Sequence, residues 1–104
     1  MNGGGPVLAR IAFDAEIIVW RGPAPFLFAP VPPDLIDEIR AAARLASYGW
    51  GVVPVAARIG ATAFSTSLFP RDRGYLLPIK VAVQRAEAIG AGDHIHAVIQ
   101  IAAR

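Results

Sequence analysis

Two stretches of this chain alternate apolar and polar residues with a period of two, and that pattern restricts the fold more than anything else in the sequence. Ile11, Phe13, Ala15, Ile17 and Val19 alternate with Ala12, Asp14, Glu16 and Ile18, while Ile95, Ala97, Ile99 and Ile101 stand opposite His94, His96 and Gln100. Successive side chains of a strand point to opposite faces, so each stretch must lay one face on a core and turn the other outward. A strand of this kind needs sheet partners.

The rest of the chain supplies them. Arg21-Gly22-Pro23 breaks the first strand just past Trp20. Ala24 to Val31, with Phe26 and Phe28 on one face, reads as a second strand closed by Pro30, Pro32 and Pro33, prolines that favour an edge position. Asp34 is placed to cap a helix in which Leu35, Ile39, Ala42 and Ala46 share the buried face, while Asp37, Arg40 and Arg44 share the solvated one. Tyr48-Gly49-Trp50-Gly51 ends it, with Gly49 suited to a left-handed closing residue. Val52 to Ile59 and Ala61 to Phe69 form two strands joined at Gly60, and Tyr75 to Ile79 forms another, entered through the turn Arg71-Asp72-Arg73-Gly74. A second short helix starts close to Pro78 and runs through Val83, Ala86 and Ile89 to Gly90; Gly92-Asp93 then turns into the last strand.

The sum is a mainly β chain of about six strands with two short helices. Strands this apolar leave hazardous edges unless the sheet curls, so a small closed or partly closed barrel is expected. At 104 residues the chain makes one domain, expected over residues 10–104 behind a flexible tail of residues 1–9. It has no cysteine, so no disulfide or thiolate metal site stiffens it, and the absence fits a cytoplasmic location. The apolar fraction is 55%, yet no run approaches the about 20 residues a membrane helix needs, and the opening MNGGGPV lacks the basic and apolar regions of a signal peptide. No membrane association is expected. The net charge of +2 is far below the excess of a dedicated nucleic-acid binder, although Arg58, Arg71, Arg73, Lys80 and Arg85 all fall in the second half.

Several spaced motifs carry a family resemblance. Gly49-Trp50-Gly51 precedes a Val53-Pro54-Val55 strand, Thr66-Ser67-Leu68-Phe69-Pro70 follows, Gly74-Tyr75 leads to Leu77-Pro78-Ile79-Lys80, and Gly92-Asp93 opens the last strand. With these the chain resembles the family of domain of unknown function DUF1905, over roughly Arg10 to the C-terminus. The resemblance implies a double-split β-barrel, a fold grouped with AbrB-type regulators, and no assigned activity; it also implies an arginine soon after Lys80, where this chain has Arg85 behind Gln84. Leu77 to Lys80, a short helix and Gly90-Ala91-Gly92-Asp93 are also similar to one half of swapped-hairpin DNA-binding proteins, which dimerise to complete a barrel. This chain is long enough to supply both halves, so that likeness speaks to fold more than to DNA.

The candidate site centres on Thr62 to Lys80. Ser65 and Ser67 share a strand face, and with Lys80, Arg58 and Arg85 in reach such hydroxyls can hold an anion at a barrel mouth through short charge-assisted hydrogen bonds; otherwise they only satisfy turns. Lys80 ends an apolar strand, so its stem either swings over a pocket or snorkels to water. Trp50 and Tyr75 offer aromatic contacts to a ligand, or plug the barrel end.

Other chemistry is poorly supplied. His94 and His96 project from one face, as a metal pair requires, but with only Asp93 beside them in sequence they fall short of three or four convergent ligands, and no metal or other cofactor is expected. Ser67 with Lys80 has no spacing that marks a Ser-Lys pair, and Asp14 and Glu16 lie on an outer face away from any cleft. The leading expectation is a non-catalytic module, monomer or homodimer, that binds a small anionic or polar ligand or a protein partner. Weak nucleic-acid binding through the five basic residues is the alternative, and an enzyme of unknown reaction comes third.

Overall fold

The computed structural model describes residues 6–20, 26–46 and 51–103. Seven strands and two helices follow in the order β1 (Val7–Glu16), β2 (Ile18–Trp20), β3 (Phe26–Pro30), a 3-10 turn (Pro33–Leu35), α1 (Ile36–Ala46), β4 (Val53–Ile59), β5 (Thr62–Arg71), β6 (Gly74–Ile79), α2 (Val81–Glu87) and β7 (His94–Ala102). The chain is mainly β, with seven strands where the sequence reading counted about six. The extra strand arises at Ile17, where the single strand read from Ile11 to Trp20 divides in two. There the Ile17 N–H donates to the Asp93 carbonyl at 2.9 Å and its carbonyl accepts from Gly92 N–H at 2.8 Å.

All pairs are antiparallel, in the order β1-β7-β4-β5-β6-β3-β2. The first and last strands in this order, β1 and β2, are consecutive pieces of one segment, so the sheet curls back toward its own beginning. The β1–β7 ladder runs from Val7 opposite Ala102 to Glu16 opposite His94, which draws residues 7–9, expected in a tail, into the sheet.

Burial follows the two-residue period. Ile11, Phe13 and Ile17 of the first segment and Ile95, Ala97, Ile99 and Ile101 of β7 are all buried, together with Val53, Val55, Ala57 and Ile59 of β4. The helix α1 closes this core by setting Ile36, Ile39, Ala42 and Ala46 against β7, β1 and β4, while Asp37, Arg40 and Arg44 stay exposed.

Four local expectations change. Asp34 does not cap α1 through its side chain; it lies inside the 3-10 turn, whose entry at Pro32 has no side-chain hydrogen bond. Pro78 does not open a helix but pairs with Phe28 inside β6, and α2 starts at Val81 behind Lys80. That helix ends at Glu87 instead of reaching Gly90, because Ala88 takes left-handed dihedrals. The strand β3 is not an edge, being flanked by β2 and β6. Pro30 is tolerated there because β2 pairs only with Phe26 to Phe28, which leaves Pro30 with a neighbour on one side. The break at Arg21-Gly22-Pro23 and the helix end at Tyr48-Gly49-Trp50 lie outside the described residues. Among the described residues no helix is long and apolar enough to cross a membrane.

Candidate functional site

The site begins with a fork in the sheet. The long strand β5 divides its pairing: Thr62 to Leu68 pair with β4, whereas Phe69 to Arg71 pair with β6. On the β6 side the ladder reaches only Phe69 opposite Leu76, and Pro78, two residues further on, has no N–H with which to continue it. Along its other flank β6 stays paired with β3 as far as Ile79. The two strands therefore diverge, and a cleft of about 740 Å³ opens between them.

Its walls are chiefly apolar. Phe26, Leu27 and Phe28 come from β3, Phe69 from β5, Pro78 and Ile79 from β6, and Val81 from the first turn of α2. The polar groups are few: the hydroxyls of Thr66 and Ser67, the amide of Gln84 and the ammonium of Lys80. Gln84 Nε2 donates to the Ile79 carbonyl at 2.9 Å, tying α2 to the end of β6. Lys80 is fixed by its backbone, since its carbonyl accepts from the N–H groups of Val83 and Gln84, both at 3.0 Å. Its side chain is exposed and, among the described residues, makes no ion pair. It is the sole charged residue lining the cleft among the described residues. A concave, mostly apolar site with one cation suits a ligand with an apolar body and an anionic group.

The structure brings some expected site residues together and scatters others. Ser67 and Lys80 both line the cleft. Ser65, exposed and two residues nearer the Gly60 turn, does not line it, and neither does Arg85 on α2. Arg58 braces the β4–β5 turn, donating from Nη1 to the Ala61 carbonyl at 3.3 Å. Tyr75 does not line the main cleft; it lines a depression of about 540 Å³ with Trp20, Val31 and Arg71. Trp50 lies outside the described residues.

Of the cations expected for nucleic acid, Lys80 lines the main cleft and Arg58, Arg71, Arg73 and Arg85 do not. Arg58 sits on β4 opposite Ala63, and Arg71 lies eight residues further along β5, up to about 26 Å away at strand rise. His94 and His96 do share an outer face, and each stands opposite a carboxylate of β1, with His96 Nδ1 2.7 Å from Asp14 Oδ1 and His94 Nε2 3.9 Å from Glu16 Oε1. Among the described residues no group of three or more such side chains has the geometry to hold a metal ion.

An aromatic extension of the cleft escaped the sequence reading. Trp20 meets Phe28 edge-on at 6.4 Å between ring centroids, and Phe28 meets Phe69 in the same way at 6.4 Å. The Arg71 guanidinium lies 3.7 Å over the Trp20 ring. A depression of about 300 Å³ along these side chains shares Phe26, Phe28 and Phe69 with the main cleft. The available signal was Phe26 and Phe28 on one face of a strand whose partner segment carries Pro78.

Residues 13–99 match the family profile described as Domain of unknown function (DUF1905). No curated protein matches the chain.

Proposed function

The chain belongs to the DUF1905 family, and from that premise we propose that it is a non-catalytic binding module which holds a small amphipathic anion in the cleft between β5 and β6. One observation carries this reading: among the described residues a single cation, the exposed Lys80, lines an otherwise uncharged and mainly apolar cleft. The phenylalanine walls take the apolar body of the ligand, and its anionic group accepts from the Lys80 ammonium and the Ser67 hydroxyl. Partial exclusion of water shortens and strengthens such charge-assisted bonds.

The architecture supports a double-split β-barrel as the frame for this site. The strand β5 passes from β4 to β6, and the β1–β2 segment passes from β7 to β3, so two stretches of chain cross between the halves of the sheet. The cysteine-free sequence supports a cytoplasmic setting.

The test is a thermal-shift series with benzoate, indole-3-acetate, decanoate, inorganic phosphate and a short DNA duplex. Apolar anions are expected to raise Tm and phosphate is not; at a hundredfold excess over Kd the stabilisation is about 2.7 kcal/mol. The Lys80→Ala variant should melt like the parent and lose the shift. A response to duplex alone, lost at high salt, would replace the proposal with nucleic-acid binding, and no response to any probe would point to a protein partner.

A further inference from the structure

We propose that the cleft continues from Lys80 along its aromatic floor to a second anion-holding position at Arg71, so that the module selects an elongated dianion: an apolar chain or ring system with an anionic group at each end. This rests on the reading of the Lys80 cleft as an anion site. The two depressions adjoin, since Phe26, Phe28 and Phe69 line both. Lys80 stands at one end of this floor and Arg71 at the other.

The spacing is set by β6. Arg71 pairs with Gly74 at the start of that strand and Lys80 follows Ile79 at its end, a backbone separation of about 20 Å at strand rise; the Arg71 guanidinium lies closer than that, because it rests on Trp20, which pairs with Phe26 at the Lys80 end of β3. A ligand held by both cations must cross the aromatic side chains that lie between them.

Arg71 is prepared for the role. Its guanidinium carbon lies 3.7 Å from the centre of the Trp20 ring, a contact through the guanidinium face that leaves N–H donors at its edge for a carboxylate. Its one ion-pair neighbour, Asp72, is 3.9 Å away with a side chain 92% exposed, a contact too solvated to occupy the guanidinium. The charges also argue against a second copy as occupant. Two-fold docking of this face on itself would bring the Lys80 and Arg71 of each copy into a shared interface in which, among the described residues, Asp72 beside Arg71 is the one nearby carboxylate.

Isothermal titration of the full chain with α,ω-dicarboxylates, from hexanedioate to hexadecanedioate, tests the proposal against monocarboxylates of equal chain length. The expected result is a length optimum at which the dianion binds about tenfold or more tightly than the matching monoanion. Arg71→Gln should remove that gain and leave monoanion affinity unchanged, whereas Lys80→Gln should weaken both ligands. Monoanion binding that needs Lys80, with no gain from a second carboxylate at any length, overturns the dianion proposal alone. Failure of both ligand series overturns it together with the reading it rests on. A dimer in sedimentation that Phe69→Ser dissociates also overturns it, by assigning the face to a second copy.

Discussion

The Thr62 hydroxyl donates to Glu87 Oε2 across 2.6 Å, joining the first residue of β5 to the last residue of α2. Gly60 makes room for this tie. It turns the β4–β5 hairpin at φ +59°, and a Cβ there would run into the Glu87 carboxylate. The helix that follows Lys80 is thus held at two points, by Gln84 in its middle and by Glu87 at its last residue.

Gly60→Ala should therefore destabilise by more than its backbone term, which is about 1–2 kcal/mol for a left-handed non-glycine residue. Displacing the Glu87 side chain adds the loss of the Thr62 bond. In a Glu87→Ala background the same substitution should cost less, and the two effects should be non-additive by about 0.5–2 kcal/mol in a double-mutant cycle read by thermal melting. Strict additivity would show that the Glu87 carboxylate does not govern the turn.

The same change at two leucines should separate core from surface. Leu77 is fully buried in β6 whereas Leu45 on α1 is 63% exposed. Leu77→Ala is expected to cost about 2–5 kcal/mol in denaturant unfolding, and Leu45→Ala less than about 0.5 kcal/mol. Equal costs would mean that Leu45 is covered in solution.

The stack of Arg71 on Trp20 makes an optical prediction. In a Trp50→Phe background, Arg71→Ala should shift the Trp20 emission and alter its quenching by added iodide. Stability should fall by no more than about 1 kcal/mol, the range for an exposed cation–π contact. Unchanged emission would show that the guanidinium does not rest on the indole.

The Asp14–His96 pair, short as it is, joins side chains that are 84% and 62% exposed. Asp14→Asn should change stability by less than about 1 kcal/mol, and molar salt should erase even that difference. A chelator should leave the melting temperature where it was, since the described residues gather no third ligand. A drop in Tm with the chelator would reveal a metal that the pair helps to hold.

The sequence disclosed the sheet wherever burial alternates. The strands through Ile11 to Ile17, Val53 to Ile59 and Ile95 to Ile101 were readable because a two-residue period leaves no other assignment. Pro78 misled, since proline is common both at the first turn of a helix and beside an unpaired strand flank, and only the ladder to Phe28 decides between them. The division at Ile17 was hidden for a related reason. Nothing in an alternating stretch tells where its partner changes from β7 to β3. That Ser67 and Lys80 line one cleft was legible from their place on neighbouring strands. Phe26 and Phe28 were seen on one face but not as walls of the cleft, because that role depends on the fork between β5 and β6, which is a tertiary fact.

The ladder from Val7 opposite Ala102 to Glu16 opposite His94 joins residues from the two ends of the sequence. It can close only at the end of a long search, since the entropy of loop closure is spent before the contacts form. The β4–β5 hairpin, with Ile59 and Thr62 directly paired across Gly60 and Ala61, can form on the microsecond scale. The order of assembly accordingly runs from the middle of the sequence outward, with β1 docking last. Pulsed hydrogen exchange should find the β1 amides protected after those of β4 and β5, and early protection of β1 would refute that order. If it holds, the refolding time of the whole domain is the waiting time of one strand.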